Sequence, residues 1–304
     1  MNWTKLGLVL PPPTNLPWMN SHTALPFAEH VTGDLFNIYF SGRDIQQRSI
    51  IGYAQIDLNN PQQSLIVHPQ PILSYGGLAR YDEHGAMNSW VTYHNGKKYL
   101  YYIGWNLGVS VPFQNSIGLA IADEGSMNFE KAGPGPVLGR NWFDPCFVAS
   151  CCVLVDGGIW RMWYLSCMKW EIVDGKPRHY YHLKYAESSD GIIWRPTGKV
   201  CIDFKNAGEY AISRPSVIKE PNGLYRMWFS YRGDRYRIGY AESRDGLDWT
   251  RMDEQVDIDI SGNPDDWDGK MVEYPHVFDH AGKRYMLYNG NGYGMTGAGL
   301  AVAT

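Results

Sequence analysis

The chain has 304 residues, a formal net charge of −4 and no run of basic residues, so nucleic acid is not an expected partner. Its 33 glycines and 18 prolines, together with 12 tryptophans and 21 tyrosines, are typical of many short strands joined by tight turns. No low-complexity linker interrupts the sequence, which predicts a single domain.

The N-terminal sequence MNWTKLGLVLPPPTNLPW has no charged segment followed by a long apolar stretch, so it predicts neither a signal peptide nor a membrane span. The five cysteines, of which Cys151 and Cys152 are adjacent, do not form a disulfide framework and fit a reducing compartment. No cysteine and histidine spacing is typical of zinc. We therefore expect a cytoplasmic protein that needs no metal and no cofactor.

Five aromatic strands recur along the sequence, each preceded by a hairpin turn and followed by a strand of small residues. They are LFNIYFSGRD (35–44), KYLYYIGWN (98–106), WRMWYLSC (160–167), YRMWFSYRG (225–233) and RYMLYNGNG (284–292). The third and fourth copies continue into Tyr-Ala-Glu-Ser and then Ser-x-Asp-Gly-x-x-Trp. We expect the repeated Asp190, Asp245, Trp194 and Trp249 to be structural, with each Asp capping its turn and each Trp packing between repeats. Such self-similarity predicts an all-β repeat architecture.

The last copy stops before this turn, and the missing outer strand is found at the other end of the sequence. Trp3-Thr4-Lys5-Leu6 matches Trp249-Thr250-Arg251-Met252, so the N-terminus is expected to pair with the C-terminal strand and close a ring. The sequence thus predicts a five-bladed β-propeller formed by one domain of residues 1–304. The expected blades are roughly 18–75, 76–139, 140–204, 205–260 and 261–304 together with 1–10.

The innermost strand of each blade would line a central funnel, so residues that differ between these strands are the functional candidates. The inner segments are NSHTALPF (20–27), DEHGAMNSW (82–90), DPCFVASC (144–151), EYAISRPSV (209–217) and GKMVEYPHV (269–277). When the inner segments are aligned by counting back from the aromatic strands, Asp82, Asp144 and Glu209 fall at the same position, or column, as Asn20. Asp268 lies one residue away from that position. We expect these acids either to cap the strand entries, or to face one cavity where mutual repulsion and burial raise at least one pKa.

One column further along, Glu273 stands where other inner strands carry Ala, Val or Ser, and a buried carboxyl is costly without a purpose. Arg214 is expected either to pair with Glu209 or Glu273, or to hold an anionic group of the ligand. His22 and His276 are candidate ligand contacts or ordinary structural histidines. Arg43 and Asp44 are expected to form a structural pair or a loop contact. Aromatic candidates for stacking on a sugar ring, or for ordinary packing, are Trp18, Trp90, Trp105 and Trp142.

The inner segments and the tandem Tyr-Ala-Glu-Ser-x-Asp-Gly-x-x-Trp resemble the five-bladed glycosidase superfamily over essentially the whole sequence. That superfamily includes the invertase-like and arabinanase-like hydrolases of families 32 and 43 and the mannoside phosphorylases of family 130. Trp18-Met19-Asn20 is similar to the start of the invertase motif Trp-Met-Asn-Asp-Pro, but Ser21-His22 replaces its Asp-Pro. The familiar catalytic triad therefore cannot be carried over residue by residue.

These features predict an enzyme that acts on a glycosidic bond or an activated sugar, as a hydrolase or a phosphorylase. Asp144, Glu209 and Glu273 are the candidate acid and base; His22, Asp82, Arg214, His276 and Trp105 are the candidate substrate contacts. Two alternatives stay open: a propeller that binds a glycan or small molecule without catalysis, and a biosynthetic transferase, cyclase or lyase that uses the same funnel. The expected partner is a carbohydrate or another small molecule, and not a membrane.

Overall fold

The computed structural model describes residues 1–13 and 15–304. Within them the regular structure is almost entirely β, with twenty strands, a 3₁₀ helix at Asp253–Gln255 and a helical turn at Asn291–Gly294. The predicted all-β class is therefore confirmed. The strands fall into five antiparallel units of four. Neither helical segment of the described residues is long and apolar enough to cross a bilayer.

The first strand, β1 (Trp3–Leu10), belongs to the last unit. Unit one consists of β2 (Ser21–Thr32), β3 (Leu35–Arg43), β4 (Ser49–Asp57) and β5 (Ile66–Val67). Unit two consists of β6 (Gly85–His94), β7 (Lys97–Leu107), β8 (Phe113–Asp123) and β9 (Glu130–Lys131). Unit three consists of β10 (Phe147–Asp156), β11 (Ile159–Val173), β12 (Lys176–Ser188) and β13 (Arg195–Ile202). Unit four consists of β14 (Ala211–Lys219), β15 (Tyr225–Arg232), β16 (Tyr236–Ser243) and β17 (Thr250–Arg251). Unit five consists of β18 (Glu273–His280), β19 (Lys283–Asn289), β20 (Ala298–Ala303) and β1.

The two ends of the polypeptide pair with each other in unit five. Trp3 lies opposite Ala303, and Thr4 lies opposite Val302, so the strand pairing predicted from the Trp3-Thr4-Lys5-Leu6 match is present. Single parallel bridges join unit one to unit two and unit three to unit four. The described strands thus form one four-stranded and two eight-stranded sheets, and none of these sheets closes on itself.

The repeated Ser-x-Asp-Gly-x-x-Trp turn is held by its own side chains. Asp190 Oδ1 accepts the backbone N–H groups of Ile192 and Ile193 at 2.8 and 2.9 Å, as an Asx turn requires. Gly191 adopts φ of 73°, and a Cβ there would lie 2.7 Å from the Trp160 ring. Asp245 makes the same two hydrogen bonds in unit four. The predicted capping role of both aspartates is confirmed.

Aromatic side chains join neighbouring units at these turns. Trp163 of unit three donates from Nε1 to the Gly246 carbonyl of unit four at 2.7 Å. Its ring also meets Trp249 edge to face, with centroids 6.1 Å apart. Buried aromatic pairs of this kind add to the stability that burial alone provides. The predicted packing of Trp249 between repeats is therefore present.

Each inner strand carries a β-bulge near its first third. In units one, four and five the bulge contains a residue with positive φ followed by proline: Leu25 (56°), Arg214 (51°) and Tyr274 (55°). Bulges bend a strand and re-aim its side chains. A side chain of a neighbouring unit accepts the backbone N–H of each of these residues: Asn289, Ser150 and Ser230, at 2.8, 3.0 and 2.7 Å. The bulges therefore both connect the units and direct side chains away from the regular pleat.

Candidate functional site

A cavity of about 420 Å³ lies where the inner strands of all five units meet. Every unit contributes an inner-strand residue at or beside its bulge: Leu25, Met87, Ala149, Ser213 and Tyr274. The ends of second and third strands complete the wall. This volume lies in the range of pockets that bind small molecules. The inner strands thus line the cavity with residues at or beside their bulges.

One side of the cavity is formed by four tyrosines from three units: Tyr181, Tyr236, Tyr274 and Tyr293. The hydroxyls of Tyr181 and Tyr236 are hydrogen-bonded to each other, and the Tyr236 ring centroid lies 6.3 Å from that of Tyr274 and 6.0 Å from that of Tyr293. Burial raises the pKa of Tyr236 and Tyr274 well above the usual value, so both hydroxyls stay protonated. We call these four residues the tyrosine wall.

Trp105 is the predicted ligand contact that lines the cavity. It lies on β7, and its indole Nε1 donates to Ser49 Oγ at 3.2 Å, which fixes the ring orientation. Phe113 and Phe147 extend the aromatic surface beside it. The other tryptophan candidates lie elsewhere: Trp18 stacks on Phe40, Trp90 is in the core and Trp142 is 91% exposed.

Glu273 is completely buried next to the tyrosine wall. It occupies the position just before the bulge of β18, opposite Asn289, as Ser213 does opposite Ser230 in unit four. Neither carboxyl oxygen has a partner at full hydrogen-bond geometry among the described residues, and the Tyr293 backbone N–H lies near enough to lower the Glu273 pKa slightly against the effect of burial. Burial raises the pKa of Glu273 well above its ordinary value, against the lowering influence of Arg232. The predicted buried carboxyl is therefore present, and burial favours its neutral form, although it does not itself line the cavity.

Arg43, at the end of β3, lines the cavity and was not predicted to belong to the site. Its expected partner Asp44 instead accepts the Arg48 guanidinium at 2.8 Å and the backbone N–H groups of Gln46 and Arg48. Of the two expectations for Arg43 and Asp44, the structural pair is wrong, because the turn after β3 uses both oxygens of Asp44. The loop contact is present at Asp44. Within residues 1–13 and 15–304 the Arg43 guanidinium forms no ion pair.

The acids expected to converge on one cavity are instead paired separately inside their own units. Lys131 Nζ lies 2.5 Å from Asp82, and Arg251 contacts both oxygens of Glu209 at 2.7 and 3.0 Å. Asp268 accepts Lys5 in unit five at 2.7 Å. Each of these carboxylates thus has an adjacent cation that balances its charge. The expected convergence is wrong, and these acids join the strands of a unit.

Asp144 has the most complete set of partners in this group. It accepts Tyr164 at 2.9 Å, Ser166 at 2.6 Å and Asn141 at 2.6 Å, and Lys184 Nζ lies 3.5 Å away. Its side chain is fully buried, and it does not line the cavity. Asp144 and Glu209, both predicted to be catalytic, therefore hold strands of their own units together and lie outside the cavity lining.

Arg214 and His276 are buried and do not line the cavity. The Arg214 guanidinium donates to the Pro26 carbonyl at 3.0 Å and lies over the Trp90 ring, 6.0 Å from its centroid. The predicted pairing of Arg214 with Glu209 or Glu273 is wrong: Glu209 is taken by Arg251, and Glu273 has no partner among the described residues. His276 stacks near Phe27 at 4.1 Å between centroids, and burial lowers its pKa well below the usual value.

His22 lies at the entry of β2, where Ser21 Oγ approaches its Nδ1 at 2.8 Å. Burial and then the charge of Arg43 lower the His22 pKa to about 4, so the ring is neutral at physiological pH. His22 is thus a neighbour of a residue that lines the cavity, without lining it. No cluster of three or more His, Cys, Asp or Glu suited to a metal ion occurs in the described residues.

A second arginine, Arg232, occupies the position in unit four that Arg43 occupies in unit one, each two residues beyond the serine opposite the bulge. Arg232 donates to the Tyr293 hydroxyl at 2.8 Å and lies over the Tyr236 ring, 5.3 Å from its centroid. The sequence contains a signal for this pair in Ser41-Gly42-Arg43 and Ser230-Tyr231-Arg232. The arginines therefore flank the part of the cavity built by unit five.

The sequence is 43% identical to two proteins of Mycobacterium tuberculosis, uncharacterized protein Rv1502 of strain H37Rv and uncharacterized protein MT1551 of strain CDC 1551. The match spans 302 residues, which is 99% of this chain and 99% of each relative. The protein belongs to the family of these two relatives. No family model matches the Rv1502-like sequence.

Several solved structures share the fold of this Rv1502-like protein. A glycoside hydrolase aligns with a TM-score of 0.76 at 17% identity over 99% of this chain and 92% of that chain. A glycosyl hydrolase from Bacteroides ovatus aligns at 0.71 and 15% identity over 97% and 90%. A structure from the GH130 family of mannoside phosphorylases aligns at 0.71 and 16% over 100% and 94%. The predicted resemblance to glycosidase-like proteins is thus confirmed at the level of the fold.

Proposed function

We propose that this Rv1502-like protein is a five-bladed β-propeller that binds a carbohydrate in its central cavity. The five four-stranded units, the pairing of β1 with β20 and the meeting of all five inner strands at one cavity support this arrangement. In this proposal the blades are the sequence segments 18–75, 76–139, 140–204, 205–260 and 261–304 with 1–10. The cavity is then the mouth of the funnel.

The composition of the cavity wall carries the proposal for a sugar ligand. Aromatic faces at Trp105, Phe113 and the tyrosine wall offer surfaces on which the C–H faces of a sugar ring can pack. Protonated tyrosine hydroxyls and the Ser213 hydroxyl, which is buried and has no partner among the described residues, can exchange hydrogen bonds with sugar hydroxyls. Apolar surface with a few convergent polar groups is typical of small-molecule sites.

A titration of mono- and disaccharides tests this proposal directly. Calorimetry should detect binding to the wild type and clearly weaker binding to Met87→Trp, because the larger side chain occupies part of the cavity. Met295→Trp is the matched control, since Met295 is 57% exposed and lies outside the cavity lining. A sugar that binds Met87→Trp as tightly as it binds the wild type would place its site elsewhere and contradict the proposal.

Glu273 favours a second candidate function, glycosidase-like catalysis. A carboxyl whose neutral form is favoured by burial is suited to the role of general acid, and Glu273 lies beside the tyrosine wall. The usual pair of carboxylates has no counterpart among the described residues of the cavity wall. If the protein is an enzyme, its chemistry should therefore depend on Glu273 and the tyrosine wall, and not on Asp144 or Glu209.

Release of sugar from a panel of aryl glycosides and oligosaccharides, with and without orthophosphate, tests this second candidate. Activity should disappear in Glu273→Gln and persist in Asp248→Asn, which changes an exposed carboxylate. Phosphate dependence would indicate a phosphorylase. Activity that persists unchanged in Glu273→Gln would exclude the proposed acid.

The five cysteines are all free thiols. Free buried cysteines fit a reducing environment. We therefore propose a cytoplasmic location for the protein, which fractionation of its host cells with an antibody can test.

A further inference from the structure

The cavity wall carries a fixed positive charge and no ionised carboxylate. Among the described residues that line the cavity, Arg43 is the permanent cation and none is an Asp or Glu. Glu273 does not line the cavity, and burial raises its pKa and so favours its neutral form. The neighbouring His22 and His179 both have a pKa lowered to about 4 by burial, and nearby arginines lower it further. The electrostatic field in the cavity is therefore positive.

Arg43 differs from most buried or half-buried arginines of this protein in having no carboxylate partner. Arg251 is paired with Glu209 and Asp253, and Arg284 is paired with Asp279 and Glu220. The Arg43 guanidinium is half-buried at the cavity, and burial lowers its pKa, so the charge is held at a cost. A desolvated guanidinium without a protein partner is a natural donor to an anion from solution.

Two residues of the cavity wall also carry uncharged polar atoms without partners in the part of the chain that the structure describes. Ser213 Oγ lines the cavity and is buried, and His179 Nε2 is buried at the cavity wall; neither has a hydrogen-bond partner among the described residues. Unsatisfied buried polar groups are costly in a native protein unless something else satisfies them. Both residues line the cavity, and the described part of the protein satisfies neither of these polar atoms.

We infer that the ligand of this cavity is an acidic sugar, a sugar that carries a carboxylate or a phosphate, and that Arg43 binds its anionic group. The inference rests on the proposed sugar-binding function and adds the charge of the ligand and the residue that recognises it. The fork of N–H donors on Arg43 matches the paired oxygens of a carboxylate or phosphate. The aromatic surface at Trp105 and the tyrosine wall would then contact the ring. Glu273 must remain neutral for this arrangement, since an ionised carboxylate would repel the ligand.

The test is calorimetric titration with three sets of probes. The first contains hexuronic acids and hexose phosphates of gluco, galacto and manno configuration, the second the matching neutral hexoses, and the third inorganic phosphate alone. Each set is titrated into the wild type, Arg43→Gln, Arg43→Lys and Arg195→Gln. Arg195 is exposed and is not among the residues that line the cavity, so its substitution controls for a general loss of positive charge.

We expect at least one acidic sugar to bind the wild type and Arg195→Gln with equal affinity. Arg43→Gln should weaken that binding by about 30-fold or more, because one charge of a close pair is removed. Arg43→Lys should retain part of the affinity, since it keeps the charge and loses the fork. Whether a uronic acid or a hexose phosphate binds distinguishes a carboxylate from a phosphate. Thermal unfolding of Arg43→Gln should match or exceed that of the wild type.

Three results would overturn the inference. Neutral hexoses that bind the wild type and Arg43→Gln equally well would contradict the inference that the ligand carries an anionic group. The sugar-binding proposal would remain intact. Inorganic phosphate that binds as tightly as the best hexose phosphate would replace the acidic sugar by a free anion. Failure of every probe to bind the wild type would contradict sugar binding itself, and the inference with it.

Discussion

Two buried carboxyls, Asp144 and Glu273, differ in whether they have partners. This difference separates residues that hold the strands together, the framework of the molecule, from residues of the candidate site. Both are completely buried and both lie at the entry of an inner strand. Asp144 has three hydrogen-bond donors and a lysine around it, whereas neither oxygen of Glu273 has a partner at full hydrogen-bond geometry among the described residues. Burial of a charge is compatible with stability when the charge is paired, and otherwise suggests a function.

The same contrast holds for the arginines. Arg251 is paired with Glu209 inside unit four, and Arg43 lines the cavity without a carboxylate. The paired groups hold together strands that are far apart in sequence. Arg43 and Ser213 line the cavity without a partner among the described residues of the protein, and the unpaired Glu273 lies beside the tyrosine wall. The lack of a partner, combined with a position at or beside the cavity, therefore distinguishes the candidate site from the paired acids.

The largest expected effect is on the framework. Asp144→Asn should lower the free energy of unfolding by about 3–5 kcal/mol, because it leaves the buried Lys184 without its counter-charge. Urea denaturation followed by tryptophan fluorescence measures this change. Asp248→Asn, at an exposed pair with Lys199, is the control and should change stability by less than about 1 kcal/mol. Equal, small effects of the two substitutions would mean that Asp144 is not a framework residue.

The Glu273→Gln variant should gain stability relative to the wild type as the pH rises. The folded protein keeps Glu273 protonated above its ordinary pKa of 4.5, while the unfolded state ionises there, so the wild type loses stability as the pH rises above about 4.5. The variant lacks this loss, and the difference should grow by up to about 1.4 kcal/mol per pH unit until Glu273 ionises in the folded state.

Urea denaturation of both proteins from pH 4 to pH 8 measures this difference. The two stabilities should be similar near pH 4, and the variant should be the more stable at pH 7. A wild type that is the more stable protein at pH 7 would show that Glu273 is ionised and paired, which contradicts the neutral acid described above.

The smallest expected effect is on ligand contact at the aromatic surface. Trp105→Ala should weaken sugar binding by about 0.5–1.5 kcal/mol, the contribution expected of one aromatic contact. Trp142→Ala should leave binding unchanged, because Trp142 is 91% exposed and outside the cavity lining. Calorimetry with the best sugar from the panel gives both values. Equal losses in the two variants would remove Trp105 from the site.

Local patterns in the sequence predicted much of the fold. The aromatic strands and the Asp190 and Asp245 turns depend on residues within about ten positions of one another, and the match that placed Trp3 beside Ala303 depends on a comparison of two such segments. Glu273 could also be identified, because it breaks the pattern of the inner strands. These features were predictable since each is encoded in one short segment or in a comparison of repeats.

The other features of the site depend on contacts between residues far apart in sequence, and an alignment of the repeats does not show such contacts. Asp144 and Glu209 are neutralised by Lys184 and Arg251, which lie about 40 residues further along the sequence. Arg43 was misjudged because the adjacent Asp44 is a plausible partner in sequence, whereas the turn directs Asp44 to Arg48. The repeats show which positions are equivalent, and the partners across the sheet decide which of them are free.

The most direct test of the central claim is a crystal structure of the protein grown with the tightest sugar ligand of the titration panel. The account predicts ligand density in the cavity, with its ring against Trp105 or the tyrosine wall and its polar groups within hydrogen-bond distance of Arg43 and Ser213. Density against Asp82, Asp144 or Glu209, with the cavity empty, would contradict it.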